Sequence, residues 1–239
     1  MDRAVAERYI LSAGWLAERP KAFQSMILQR ARLVEIANGD EILTAGDEGG
    51  GIYGVVCGGV GAYVPQELEG EKLCRILRTG AWFGYGPFIR GRPRSMSFRI
   101  MEPSVLMHLS LATLNQTAQA SIENVRALSA MTEYGVDVAL EIIADLKVTS
   151  SHRRVATALL RSMPPVANGA DGGPPRIFAT QDQVGELSNL TRDVVNRELS
   201  RLTQSGAVSL GYRYVDILDA AKLRRIALEG YGYPDKHGP

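Results

Sequence analysis

Residues 180–206 read TQDQVGELSNLTRDVVNRELSRLTQSG, and the spacing within this stretch decides the fold. Thr180 precedes a helical run and Gln183 stands three residues on, the pattern of a reciprocal N-terminal cap. Val184 and Leu187 form the inner face of a short helix. Ser188-Asn189-Leu190 then makes a turn, and Thr191 caps a second helix with Asp193 in its positively polarised first turn. Val195, Leu199 and Leu202 recur at i, i+4 and i+7 and face inward. The opposite side shows Arg192, Asp193, Asn196, Arg197 and Ser200. Gly206 closes the helix, because glycine reaches positive φ without steric cost.

Two short helices joined by a tight turn, the second displaying Arg and Asn, form a helix-turn-helix pattern. An α-helix fits the major groove of duplex DNA, and one arginine can donate two hydrogen bonds to O6 and N7 of a guanine. Thr180 and Thr191, at helix N-termini, are placed to hold backbone phosphates with their amides and hydroxyls. A solvated amphipathic helix with ordinary surface arginines has the same pattern. The flanks favour the first reading. Ala207–Leu210, Gly211-Tyr212 and Arg213–Leu218 read as strand, tight turn, strand, and Arg176-Ile177-Phe178 reads as a strand leading into Thr180. Strand, helix, turn, helix and hairpin in that order describe a winged helix.

Upstream, residues 164–175 read PPVANGADGGPP. Prolines remove amide donors and glycines add chain entropy, so this is a connecting loop inside a C-terminal module that begins near Ser151. From Leu111 to about Met163 the texture is helical. Val125, Leu128, Thr132, Gly135, Ala139, Ile142 and Leu146 recur there at spacings of three and four, a diluted coiled-coil seam. Such a helix either lies on its own domain or pairs with a second copy. Its length favours pairing, with Gly135 and Ala139 letting two backbones approach and Gly135 marking a pivot.

Between Leu33 and Leu109, short β-prone runs (Leu33–Ile36, Ile52–Val56, Gly61–Val64, Leu73–Leu77, Val105–Leu109) alternate with glycine-rich turns such as Gly39-Asp40, Gly46-Asp47 and Gly49-Gly50-Gly51. Many short strands at this spacing suggest a sandwich or barrel. The first 30 residues have helical spacing (Ala6, Ile10, Phe23, Met26, Ile27) interrupted by Pro20.

The bulk properties set limits on these readings. The chain has 239 residues, 45% apolar and 22% charged, with a formal net charge of +1. That predicts one large or two medium domains with their own cores, and excludes a disordered, collagen-like or disulfide-stapled chain. No run approaches the ~20 apolar residues that span a bilayer, and the first residues lack the pattern of a secretory signal. A soluble, cytoplasmic protein without a membrane partner is expected. Residues 1–150 carry 15 Lys/Arg against 17 Asp/Glu, and residues 151–239 carry 12 against 9. The basic C-terminal third permits a polyanionic partner.

The remaining motifs exclude more than they assert. Cys57 and Cys74 are too few for an iron–sulfur cluster and read as buried small hydrophobes on strands. His108, His152 and His237 have no partners at ligand spacing and read as surface or capping histidines, so no metal is expected. No Walker loop, HExxH or G-x-S-x-G motif is present, and a non-enzyme is expected.

Over roughly residues 20–225 the chain resembles the Crp–Fnr family of bacterial transcription regulators. Gly39 to Tyr63, GDEILTAGDEGGGIYGVVCGGVGAY, looks like that family's cyclic-nucleotide-binding β-roll. Gly84 to Ile100, GYGPFIRGRPRSMSFRI, occupies the place of its phosphate-binding cassette, Leu111–Leu146 that of its short and long dimer helices, and RDVVNREL (192–199) that of its recognition helix. The resemblance implies an α+β architecture: an antiparallel β-roll sensor over 1–118, a dimerisation helix and hinge over 119–150, and a winged helix-turn-helix over 151–239.

It further implies a homodimer that reads an inverted-repeat operator in double-stranded DNA, with RNA polymerase as a possible further partner. Arg192 and Arg197 would contact guanines, Asp193 a base amino group, and Asn196 an adenine edge or phosphate. For an effector it implies a site at Gly84, Tyr85, Gly86, Arg94 and Ser95. Arg94 and Ser95 match the pair that holds the cyclic phosphate. Tyr85 replaces the glutamate that binds the ribose hydroxyl, and Ala139 and Leu140 replace the side chains that contact adenine. These departures weigh against a cyclic nucleotide as cofactor. Another anionic or aromatic effector, or none, stays open, as does an arginine that merely covers the roll. The clustering of Trp82, Phe83, Tyr85 and Phe88 reads as a filled apolar pocket rather than a planar-ligand site. Beside the regulator stand two other readings: a nucleotide sensor acting through a protein partner, and a constitutive DNA binder with a non-functional pocket.

Overall fold

The structure, a computed structural model, describes residues 1–165 and 173–229. Most of the connecting loop at 164–175, and His237, lie outside the described residues. The chain divides into two compact units, one from Met1 to Ile143 and one built from Ala144–Met163 together with the chain from Pro174 onward.

The first unit begins with α1 (Arg3–Ile10), a 3₁₀ turn (Trp15–Glu18) and α2 (Lys21–Arg30). The helical run breaks before Pro20, as expected, and Pro20 itself stands at the N-cap of α2, where its missing amide is not needed. The strands follow: β1 (Arg32–Ile36), β2 (Glu41–Leu43), β3 (Ile52–Gln66), β4 (Gly70–Leu77), β5 (Trp82–Phe83), then α3 (Gly86–Arg90) and β6 (Ser97–Leu109). They pair antiparallel in the order β1-β6-β3-β4, with β2 on β6 and β5 on β3.

Ile52–Val56 and Gly61–Val64 belong to one long strand. Gly58, at φ 96°, lies where the β3–β6 register shifts, and a Cβ there would strike Ser104. Its role is to bulge and bend a strand, not to end one. One core, inside the roll, holds Val55, Val60, Leu77, Phe83, Phe98 and Leu106. A second lies between the outer face of the strands and the helices α1, α2 and α5, where Trp15 meets Trp82 edge-on at 5.6 Å.

After β6 come α4 (Leu111–Ala120) and α5 (Ile122–Leu146). The inner face of α5 buries Leu128 and Met131 in the second core, and Trp15 Nε1 donates to the carbonyl of Ala127 at 2.7 Å. The expected seam is corrected here. Leu128 is fully buried by its own chain, and Gly135 lies against Tyr85 so closely that a β-carbon would collide with the phenol oxygen. The exposed large apolar side chains of α5 are Ile122, Val125, Val136, Leu140 and Ile143, from 39% to 58% exposed, and of these Val125 alone belongs to the expected seam. Two seven-residue repeats coexist on this helix, and the sequence spacing does not say which of them the chain covers itself.

In the second unit, α6 (Ser151–Ser162) buries Val155, Ala156 and Leu159. β7 (Arg176–Phe178) leads into α7 (Gln181–Ser188) and α8 (Arg192–Gln204), followed by β8 (Val208–Gly211), β9 (Tyr214–Ile217) and α9 (Ala220–Leu228). The three strands pair antiparallel as β7-β9-β8. The hairpin turns one residue later than expected, at Tyr212-Arg213. Gly211 is needed inside the strand because the Tyr214 ring covers it, and Arg213 takes the positive φ of 63°.

Candidate nucleic-acid interface and effector cassette

The turn between α7 and α8 is built locally. Thr180 Oγ1 accepts from the Gln183 amide at 3.2 Å, and Gln183 Oε1 accepts from the Thr180 amide at 2.8 Å. Asn189 ends α7 in the left-handed region at φ 50°, and the Leu190 amide reaches back to the Gly185 carbonyl at 3.0 Å. A β-carbon on Gly185 would sit 2.8 Å from the Leu190 carbonyl, so the closeness of the turn requires glycine. Val195, Leu199 and Leu202 are fully buried, which fixes the rotation of α8 about its axis.

That rotation brings Thr191, Arg192, Asp193 and Arg197 to the exposed face. Thr191 stands at the N-cap, but its hydroxyl makes no capping bond, contrary to the expected cap. Arg192 pairs with Asp182, 3.6 Å away across the turn, in a pair about two-thirds exposed. Thr180, Asp182 and Arg192 share one groove with Tyr212 and Arg213 of the β8–β9 hairpin. Asn196 differs from its neighbours: it is half-buried, and its Oδ1 is out of solvent with no hydrogen-bond partner among the described residues. It faces the unit more than it faces outward.

A group missed in the sequence holds this face. Glu198 is 1% exposed, yet it follows directly on the exposed Arg197. Its carboxylate accepts from Arg201 at 2.9 Å, from Ser151 at 3.1 Å and from Arg197 at 3.2 Å, with His152 Nδ1 at 3.1 Å. Burial pushes its pKa up, but the bonds from Ser151, Arg197 and Arg201 outweigh burial and hold the carboxyl below the usual value. The reading of His152 as a surface or capping histidine is corrected: its partner is Glu198, 46 residues away in sequence.

At the roll, Gly84 takes φ 86°, and the carbonyl of Gly51 lies 2.9 Å from where a β-carbon would be. Arg94 is 5% exposed and turned inward, where its guanidinium donates to the carbonyls of Gly84 and Gly49 and, at 3.2 Å, to that of Gly51. Burial pulls its pKa down against the pull of Asp47 and Tyr53. Ser95 is exposed and meets Arg90 at 3.2 Å. Tyr85 is half-buried; burial pushes its phenol up, and nearby Arg75 opposes this.

The expected filled pocket is corrected as well. Trp82, Phe83, Tyr85 and Phe98 line an open cavity of about 520 Å³ whose opposite wall is α5, including Gly135, Ala139 and Ile142. The cysteines are not buried as expected: Cys57 is half-buried, its thiol pushed up by burial, and Cys74 is exposed because it alternates with buried Leu73 on β4. Among the described residues no cluster of His, Cys, Asp and Glu could hold a metal, and no helix is long and apolar enough to cross a membrane.

Comparison with known proteins agrees with both halves of this geometry. The family model of the cyclic nucleotide-binding domain matches residues 33–121, and that of the Crp-like helix-turn-helix domain matches residues 153–226. The cyclic AMP receptor protein of Thermus thermophilus is 27% identical over 79% of this chain and 85% of its own length. The fumarate and nitrate reduction regulatory protein of Vibrio cholerae is 22% identical over 84% of this chain and 80% of its own. The crystal structure of a CRP/FNR-family transcriptional regulator from Thermus thermophilus has a TM-score of 0.65 at 25% identity, covering 82% of this chain and 98% of that one. With a cyclic-nucleotide-binding-domain roll, a long helix and a winged helix-turn-helix in that order, the chain belongs to the Crp–Fnr family of DNA-binding transcription regulators.

Proposed function

We propose that the protein acts as a homodimer that reads an inverted repeat in double-stranded DNA and answers to a small effector bound at the roll. The observation that carries this reading is the exposure of Arg192 and Arg197 on a helix whose opposite face is fully buried. Residues 119–150 serve as the dimerisation helix, with the exposed stripe from Ile122 to Ile143 meeting its counterpart in a second copy. Two α8 helices then enter successive major grooves about 34 Å apart. Arg192 and Arg197 read guanines, and Asp193 accepts from an amino group of cytosine or adenine. Thr180 and the uncommitted hydroxyl of Thr191 hold phosphates. Asn196, with its oxygen turned away from solvent, has at most a marginal part. RNA polymerase is the partner through which a bound dimer acts.

Selection of bound duplexes from random DNA tests this. The expected outcome is an enriched inverted repeat with guanines in each half-site, and Arg197→Ala relaxes the preference at one position while the dimer stays folded. Enrichment of no motif, or equal binding of mutant and parent to the selected duplex, overturns the assignment.

A further inference from the structure

The cavity between the roll and α5 has a chemistry of its own, and it is not that of a nucleoside. Its sheet-side wall includes Val64, Leu77 and Phe98, and its helix-side wall includes Met131, Val138 and Ile142. Every charged side chain among its described lining residues is an arginine: Arg75, Arg90 and Arg94. A ribose needs acceptors for its hydroxyls, yet no carboxylate lines this space. A cyclic phosphate needs a guanidinium turned toward it, yet Arg94 is buried with both terminal nitrogens on backbone carbonyls, and its Nε, without a partner among the described residues, is itself shut away from solvent.

Besides the buried Trp82 Nε1 and Arg94 Nε, which have no partner among the described residues, two polar groups of the lining are uncommitted. Arg90, exposed at the end of α3, bonds only Ser95 and has no carboxylate partner among the described residues. The Tyr85 hydroxyl faces Gly135 with no hydrogen-bond partner among the described residues. Its phenol, pushed up by burial, stays a donor at neutral pH. A small-molecule site is typically apolar with a few placed polar groups, and an anion enters apolar surroundings only against a fixed cation or donor.

We propose that this cavity binds an apolar molecule bearing a single carboxylate, its anionic head on Arg90 and Ser95 and its body between the sheet and α5, with Tyr85 as a second donor. The inference rests on the effector-controlled reading above and names the class of effector.

The test uses the full chain without DNA. The fluorescent aromatic sulfonate 1-anilinonaphthalene-8-sulfonate is bound, then displaced in turn by decanoate, decanol and cyclic AMP. Decanoate is expected to displace the dye at a concentration about ten-fold or more below decanol, and cyclic AMP is expected to leave it in place. Arg90→Ala removes the advantage of decanoate over decanol. Val64→Trp, which fills the cavity from the sheet side, lowers dye binding at least several-fold; circular dichroism confirms that both variants are folded.

Displacement by cyclic AMP at concentrations below decanoate overturns the proposal. So does equal displacement by decanoate and decanol, or dye binding that Val64→Trp leaves unchanged. If the duplex selection fails while these displacements behave as expected, the regulator reading falls and the ligand assignment stands; the reverse pattern removes the ligand class alone.

Discussion

Glu198 occupies a position where helical spacing alone would put an apolar side chain, next to Leu199 on the inner side of α8. No sequence pattern singles it out, because an acidic residue is far more often solvated than buried. Its partners Ser151 and His152 lie on α6, and no local pattern announces a contact across 46 residues. The arginines, by contrast, were legible, because the buried positions Val195, Leu199 and Leu202 define their face. Removing the acid as Glu198→Ala leaves Ser151, His152 and two arginines without their common acceptor, and should lower stability by about 2 kcal/mol in chemical denaturation. The pH dependence follows from the direction of its shift. The folded pKa lies below the ordinary 4.5, so the stabilisation is complete above that value and is lost as pH falls through the folded one. Acid titration of the parent should therefore show a loss of stability below about pH 4.5 that Glu198→Gln diminishes.

Gly135 makes a second argument at this scale. It reads in the sequence as a close-packing or pivot residue; in the structure the atom that demands glycine is the Tyr85 hydroxyl. Alanine in a helix interior gains about 1 kcal/mol over glycine when nothing obstructs it. Gly135→Ala should thus destabilise the parent, yet stabilise the Tyr85→Phe protein by up to about 1 kcal/mol in thermal denaturation. Stabilisation of both backgrounds alike would show that the phenol imposes no constraint.

Among the elements, α5 shows what periodicity can and cannot deliver. The sequence announces a long two-faced helix, and the structure has one, 25 residues from Ile122 to Leu146. Leu128, Gly135 and Ile142 form one seven-residue row, and Ile122, Ser129, Val136 and Ile143 form another. The choice between them depends on where Trp15, Trp82 and Tyr85 arrive from distant parts of the chain, which no window of α5 contains. The two runs Ile52–Val56 and Gly61–Val64 teach the same lesson: they read as separate strands until Ser104 of the neighbouring strand shows the Gly58 between them to be a bulge. The winged helix was the more legible half because its caps and turns are set by neighbours within a few residues. The two rows of α5 predict opposite phenotypes. Val136→Glu with Leu140→Glu, both on exposed positions, should leave the melting temperature of the roll nearly unchanged while sedimentation shifts from dimer to monomer. Leu128→Ala should cost about 2–5 kcal/mol of stability, because it opens a cavity in a core its own chain has already filled.

At the scale of the whole molecule, charge separates the two ends of the chain: −2 over residues 1–150 and +3 over residues 151–239, from the counts of Lys/Arg and Asp/Glu. An excess of three is too small to hold a polyanion by bulk attraction alone, so binding depends on where individual cations are presented. Arg213 is one of these, exposed at the tip of the β8–β9 hairpin in the same groove as Arg192 and Thr180. A side chain that contacts a phosphate releases a counterion, and each such contact adds about 0.9 to the slope of log affinity against log salt. Base-reading arginines act differently, since their loss changes the preferred sequence as well as the affinity. A dimer doubles every contact. Arg213→Asn keeps a residue tolerant of positive φ, and should flatten the salt slope of operator binding by about 2 without altering the selected motif. A change of about 1 would mean that one winged helix binds at a time, and no change would place the hairpin away from the phosphates. Filter-binding titrations of parent and variant on the same duplex, across a series of salt concentrations, measure contact and stoichiometry in one slope.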